Sequence, residues 1–306
     1  MAHEHLRKYL WLIDTIDRAG DKRISYNDLN EKWLETDMSG GLDLPKRSLQ
    51  NWMNAIREIF QINIKNDRRG KYCYYIDNAD KFRKDTTTVW LIDTFSVSNL
   101  LLDSRVIKDR IILESVPSGQ EYLSGIIEAM KGNRVINITY CKYGNGEEKS
   151  YNLEPFCVKL FRQRWYMVAR NPYYDENNIR IYALDRIKGL SATDKTFKMP
   201  KDWDSAAFFA FNYGIIAGGD IKPERVKLKV NAGQANYLRD LPLHSSQEEV
   251  ERTDEYSIFS LFLRPTFDFE QELLSQGDYL EVLEPQWLRE KIADTIKRML
   301  EKYTNK

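Results

Sequence analysis

Two groups of basic residues in this 306-residue chain are spaced to hold anions. The first is Lys46, Arg47, Arg57, Lys65, Arg68, Arg69 and Lys71, seven cations between Pro45 and Tyr75, opposed only by Glu58 and Asp67. Residues 1–44 have the reverse balance, six basic to nine acidic. The second group runs from Pro155 to Leu190: Lys159, Arg162, Arg164, Arg170, Arg180, Arg186 and Lys188 against Asp175, Glu176 and Asp185. Arginines near Tyr140, Tyr166 and Tyr182 suit a ligand with phosphates to clamp and bases to stack. The whole chain is neutral, with 46 basic and 46 acidic residues, so it is no bulk polycation, and for nucleic acid the local count decides.

The same inventory offers little for catalysis. The histidines, His3, His5 and His244, have no metal-pair or triad spacing, and no P-loop or GxGxxG is present. Gly40-Gly41 and Gly218-Gly219 read as turns. Cys73, Cys141 and Cys157 are too scattered for a disulfide frame or a zinc site, which suits a reducing cytoplasm. Met1-Ala2-His3-Glu4-His5 lacks a secretory signal pattern, and no apolar run approaches a membrane span. The chain is expected to be a non-enzyme with no catalytic residue, metal or cofactor.

The elements that must position the first basic group lie in residues 1–80. Leu6, Leu10 and Ile13 recur at helical spacing, so residues 4–19 read as an amphipathic helix. Ser25, three residues before Asp28, predicts a capped second helix with Leu29 and Trp33 on its apolar stripe. Pro45 suits the start of a third. At 100° per residue, Leu49, Trp52, Met53, Ile56, Ile59 and Phe60 fall in one arc, and Lys46, Arg47, Gln50, Asn51, Asn54, Arg57 and Glu58 in the other. These polar types, with Ser48 at the helix start, can reach base edges or phosphates. Ile62–Lys65 and Lys71–Ile76, around Asn66-Asp67-Arg68-Arg69-Gly70, read as a basic-tipped hairpin. Helices followed by such a hairpin predict a winged helix-turn-helix with its recognition helix in the major groove.

Residues 81–131 read as a helical connector, and 132–200 as short strands forming a small β-barrel. Strands are expected near 134–140, 151–153, 157–161, 165–169 and 179–184. Alternation along Arg180–Arg186 puts Arg180, Tyr182, Leu184 and Arg186 on one face and Asp185 on the other. The same rule makes Trp165 the core residue and Tyr166 the contact residue. A linker at 201–222 leads to a C-terminal part, 223–306, with the order β-α-β-β-α-β, which is ferredoxin-like. A final helix follows with Leu288, Ile292, Ile296 and Leu300 on one face. The fold class is α+β multidomain.

Several motifs in order resemble the WYL-domain regulators. Arg47-Ser48-Leu49 with Met53 and Ile56 fits the start of that family's recognition helix, although Asn51-Trp52 stands where it has Arg-Asp. Arg164-Trp165-Tyr166-Met167 stands at the Trp-Tyr-Leu motif, with Met167 for Leu. Arg180-Ile181-Tyr182-Ala183-Leu184-Asp185-Arg186-Ile187 looks like the family's Arg-x-aromatic-x-Leu-Asp-Arg-Ile, and Tyr140 and Glu154-Pro155 also match. Gly277–Pro285 resembles the end of its C-terminal extension. The resemblance implies an Sm-like or SH3-like barrel that senses a nucleotide or single-stranded nucleic acid. The candidate ligand residues are Tyr140, Lys159, Arg162, Arg164, Tyr166, Arg180, Tyr182 and Arg186. It further implies a ligand-responsive transcriptional regulator, a repressor by default, homodimeric on a double-stranded DNA operator, with links to phage defence or DNA damage. The alternative is an accessory nucleic-acid-binding or adaptor subunit of a defence or repair system.

Overall fold

The computed structural model describes residues 2–67, 72–103, 110, 112, 118–143, 146–173, 179–217 and 221–304. They fall in two compact units, Met1–Glu114 and Ser115–Lys306.

In the first unit α1 (Ala2–Ala19), α2 (Tyr26–Leu34) and α3 (Lys46–Phe60) enclose Leu10, Ile13, Leu29, Trp33, Leu49 and Ile56. Full burial of each such side chain contributes roughly 1.5–3 kcal/mol. Ser25 caps α2, its Oγ accepting from Asp28 N at 3.2 Å. The turn into α3 is pinned twice from α2: Trp33 Nε1 donates to Leu42 O at 3.0 Å, and Leu44 N donates to Asn30 Oδ1 at 2.7 Å. These bonds set where α3 begins, and Gln61, in the left-handed region at φ 55°, ends it. The short antiparallel strands β1 (Ile64–Asn66) and β2 (Tyr74–Ile76) follow, in register Ile64↔Ile76. A bridge from Ile24 to Tyr74 ties the hairpin to the α1–α2 turn, a pairing of one residue that leaves no periodic trace in sequence.

The stretch 81–131, expected as one connector, is divided. α4 (Ala79–Lys84) and α5 (Thr86–Asp103) add Phe82 and Ile92 to the first unit's core, whereas α6 (Leu123–Lys131) buries Ile126 and Ala129 in the second.

The second unit holds two antiparallel sheets. The larger has the order β6-β5-β4-β3-β7, with β3 (Arg134–Cys141), β4 (Glu148–Phe161), β5 (Arg164–Arg170), β6 (Ile179–Ala183) and β7 (Ile187–Thr196). The two strands expected at 151–153 and 157–161 are one, β4, which pairs with β3 through Leu153 and with β5 from Glu154. A register shift between Pro155 and Cys157 marks the irregularity there. The sheet curls around Ile136, Ile138, Leu153, Met167 and Leu184, and Ala183 N donates to the Tyr140 hydroxyl at 3.2 Å.

Residues 184–186 do not continue the strand. They form a 3-10 turn between β6 and β7, so alternation ends at Ala183 and Arg186 does not share a strand face with Arg180. Tyr166 is buried and Trp165 only half-buried, the reverse of the expected inside and outside.

The smaller sheet has the order β11-β8-β10-β9, from β8 (Glu224–Asn231), β9 (Glu248–Arg252), β10 (Tyr256–Leu263) and β11 (Leu280–Glu284). α8 (Ala232–Asp240) follows β8, and α9 (Phe267–Ser275) follows β10; Leu238 and Phe269 are buried with Leu228 and Phe259. In α10 (Gln286–Thr304) the expected stripe is buried at Leu288, while Ile296 and Leu300 are 52% and 59% exposed.

Residues 201–217, within the expected linker, pack within the second unit. α7 (Ser205–Phe209) is capped by Asp204, Trp203 packs edge-on against Phe156 and tilted against Phe208, and Tyr213 lies against Phe161 and Phe269.

Candidate functional site

In the first unit the polar arc of α3 faces outward. Lys46, Arg47, Gln50, Asn51, Asn54 and Arg57 are exposed, and Ser48 is half-buried. Lys46 lies over the Tyr26 ring at 5.0 Å. Among the described residues, the side chains of Arg47, Gln50, Asn51, Asn54 and Arg57 have no intramolecular partner. Their donors and acceptors are therefore available to an external surface. Ile59, assigned to the apolar arc, is 59% exposed, because it sits at that arc's edge beyond the reach of α1 and α2. On β1, Lys65 pairs with Asp77 at 2.7 Å, and both side chains are half-exposed, so releasing it costs little. Arg68, Arg69 and Lys71 lie outside the described residues.

In the second unit the eight candidate ligand residues separate. Tyr140, Tyr166, Arg180 and Arg186 line one cavity of about 370 Å³, together with Ile179, Ile181, Ala183 and residues 215–217. The other four do not line it. Lys159 Nζ donates to Gly214 O at 2.7 Å and lies 4.0 Å from the Phe209 ring, and burial lowers its pKa. Arg162 pairs with Glu272 and donates to the Tyr213 hydroxyl at 3.0 Å. Arg164 donates to Asp185 at 2.5 Å, so Asp185 neutralises an arginine after all, though not one that alternation selects. Tyr182 is buried edge-on to Tyr140 with ring centres 5.3 Å apart, and burial pushes its phenol up to about 12. It offers no face for stacking.

The pocket has specific electrostatics. Burial raises the pKa of both Tyr140 and Tyr166, so both phenols are neutral at pH 7 and can donate. Arg186 stacks on the Tyr143 ring, 3.4 Å from its centre, and its Nε is buried without a hydrogen-bond partner. A buried guanidinium donor without a partner is what an anion would satisfy. Hydrogen bonds from Arg164 and then Arg186 hold the Tyr143 phenol below its ordinary range. Sequence reasoning missed Tyr143, which lies in the turn after β3. It also missed the cavity wall at Ile215, Ile216 and Ala217; its one trace is an apolar pair inside an expected linker.

Arg170 and Glu154, flanking the sheet's irregularity, form a pair at 2.5 Å with side chains 20% and 10% exposed. Arg170→Ala would leave Glu154 nearly buried and uncompensated. Such losses cost 3–5 kcal/mol at fully buried pairs, and the residual exposure here lowers the expectation to about 2–3 kcal/mol. Chemical denaturation checks it; a loss under about 0.5 kcal/mol, the ordinary surface range, would mean the pair is not structural.

Among the described residues no group of His, Cys, Asp and Glu is placed to hold a metal ion, and no helix is long and apolar enough to cross a membrane.

Comparison with known proteins adds domain matches. Residues 121–192 match the WYL domain model and residues 222–300 the WCX domain model. No curated protein matches the chain. Among solved structures, the chain is similar to proteasome accessory factor B/C (PafBC) of Arthrobacter aurescens, at 18% identity and a TM-score of 0.36 over 95% of this chain. It spans 46% of that protein, about half its length. It is also similar to a CRISPR Cas-related protein at 12% identity and a TM-score of 0.40, covering 97% of this chain and 85% of the other. The cavity residues Tyr140, Tyr166, Arg180 and Arg186 all fall inside the matched WYL segment, and the chain thus carries a WYL domain at residues 121–192 followed by a WCX domain at residues 222–300.

Proposed function

We propose that this protein is a ligand-responsive transcriptional regulator that binds double-stranded DNA through α3 and a nucleotide-type anion through the Arg180–Arg186 pocket. In this reading α1–α3 with the β1–β2 hairpin are a winged helix-turn-helix. The larger curled sheet is an Sm-like barrel and the smaller one a ferredoxin-like extension. The observation that carries the reading is the α3 face, on which Arg47, Gln50, Asn51, Asn54 and Arg57 are exposed with no intramolecular partner among the described residues. A helix with such a face, preceding a hairpin, supports insertion in the major groove.

The ligand reading rests on Arg186, with its unpartnered Nε, beside Arg180 and two neutral phenols. At about 370 Å³ the cavity is near the small end of the usual 300–1,000 Å³ for ligand sites. One nucleotide unit, free or within a single strand, suits that size. The regulator acts in the cytoplasm as a homodimer on a two-fold operator, as a repressor by default, without a cofactor or a catalytic step. Its setting is phage defence or the response to damaged DNA. Ligand shifts operator affinity only by its differential affinity for the two DNA-binding states.

The test is gel-shift titration of the purified protein on its own upstream promoter duplex and on random duplex at near-physiological salt. A preference of about a thousandfold or more for the promoter is expected of a regulator. Equal, weak binding to both would favour the accessory or adaptor subunit instead.

A further inference from the structure

The cavity wall opposite the sheet comes from outside the segment that matches the WYL model. Residues 211–217 form a strap between the two sheets of the second unit, and its last three residues line the cavity. Each step of the strap is held. Arg264 N donates to Phe211 O at 2.7 Å, and Arg264 Nη1 to Asn212 Oδ1 at 2.9 Å. Lys159, from β4, holds Gly214 O. Asp268, in the first turn of α9, accepts from both Ile215 N (2.9 Å) and Ile216 N (3.1 Å) through one oxygen. Gly214 is buried, and a Cβ there would lie 2.4 Å from Asp268 Oδ2 and 2.9 Å from Phe161 Cζ. The chain passes Asp268 this closely only because residue 214 has no side chain.

We propose that this strap is the specificity wall of the pocket and that Asp268 is its positioning residue. Ile215 and Ile216 would meet the ring of a ligand whose anionic group sits at Arg180 and Arg186. Because Asp268 belongs to the WCX segment, ligand contact with the strap reaches that domain through the Asp268 carboxylate. The inference rests on the pocket reading above and adds to it the residues that choose the ligand's ring and report its presence. Lys159, expected as a ligand residue, serves here as the second anchor of the strap.

The test uses the full chain and a fluorescein-labelled oligothymidylate as probe, followed by anisotropy, with hydrogen exchange at residues 215–217. Asp268→Ala removes the acceptor, and Gly214→Ala displaces the strap while leaving Asp268 in place, so one variant stands if the other fails to fold. Asp268→Asn keeps an amide oxygen for the same two N–H groups. Asp268→Ala and Gly214→Ala are each expected to weaken probe binding tenfold or more and to speed exchange at Ile215 and Ile216. Asp268→Asn should recover most of the affinity, and promoter affinity should stay within twofold. Folded Asp268→Ala and Gly214→Ala proteins that bind the probe like wild type, while Arg186→Ala does not bind it, would overturn the strap and spare the pocket. Wild type that ignores the probe, or Arg186→Ala that binds it normally, would overturn the pocket reading and this inference with it.

Discussion

Replacing Arg47 and Asn51 together with alanine is expected to weaken promoter binding roughly a hundredfold or more, at about 1–3 kcal/mol per lost base contact. Stability should change little, because both side chains are exposed and neither has an intramolecular partner to lose. That separation makes the variant informative. The helix itself is fixed from its other face, where Leu49, Trp52, Met53 and Ile56 are buried, and from its start, where Trp33 and Asn30 hold the preceding turn. Arg57→Ala alone, a phosphate-type contact near the helix end, should weaken promoter and random duplex alike. Binding by the double variant within threefold of wild type, with an unchanged melting temperature, would remove α3 from the interface.

The second large effect is expected at Arg186. Arg186→Ala deletes the guanidinium whose Nε lacks a partner and leaves Tyr143 without the cation stacked on it. A charge-assisted bond is worth roughly 1.5–3 kcal/mol, so loss of one predicts a roughly 10-fold to 150-fold fall in affinity for an oligothymidylate, and loss of a second a larger one. Arg186→Lys should recover only part of it, since an ammonium cannot present the planar fork. Promoter affinity without ligand should be unchanged, because α3 belongs to the other compact unit. Arg162→Ala and Arg164→Ala should behave differently: they break pairs with Glu272 and Asp185, so stability should fall before ligand affinity does. Isothermal titration beside thermal unfolding distinguishes the two kinds of variant. Full ligand affinity in Arg186→Ala would exclude the pocket.

What could be read in the sequence was local. α3 shows both faces because a regular helix turns every residue's type into a direction. The strands β3–β6 of the larger sheet and the β-α-β-β-α-β order after residue 223 follow from short alternating runs broken by turns, whereas β7 (Ile187–Thr196) is not among the expected strands. α5 gave no face, since Val89, Trp90, Leu91 and Ile92 are consecutive and apolar, and only its packing with α1 shows that Ile92 is the buried one. The pocket was legible in composition and not in geometry. Alternation ends at Ala183, where the chain enters a 3-10 turn and meets the Tyr140 hydroxyl, and no residue type there marks that end. Four of the eight candidate ligand residues are held by partners far away in sequence, such as Glu272 for Arg162 and Gly214 for Lys159. Nothing in the residues around an arginine records a carboxylate 110 positions downstream.

The proposed regulator binds DNA at α3 and is controlled from the Arg180–Arg186 pocket of the second unit. The most direct measurement is promoter affinity of the wild-type protein with and without saturating oligothymidylate, repeated with Arg186→Ala. A promoter affinity that shifts at least fivefold with the single strand in wild type, and not at all in Arg186→Ala, is the predicted result; about fivefold is the small end of ordinary coupling between sites. Tight, specific promoter binding that the single strand changes equally in both proteins, or in neither, would contradict it.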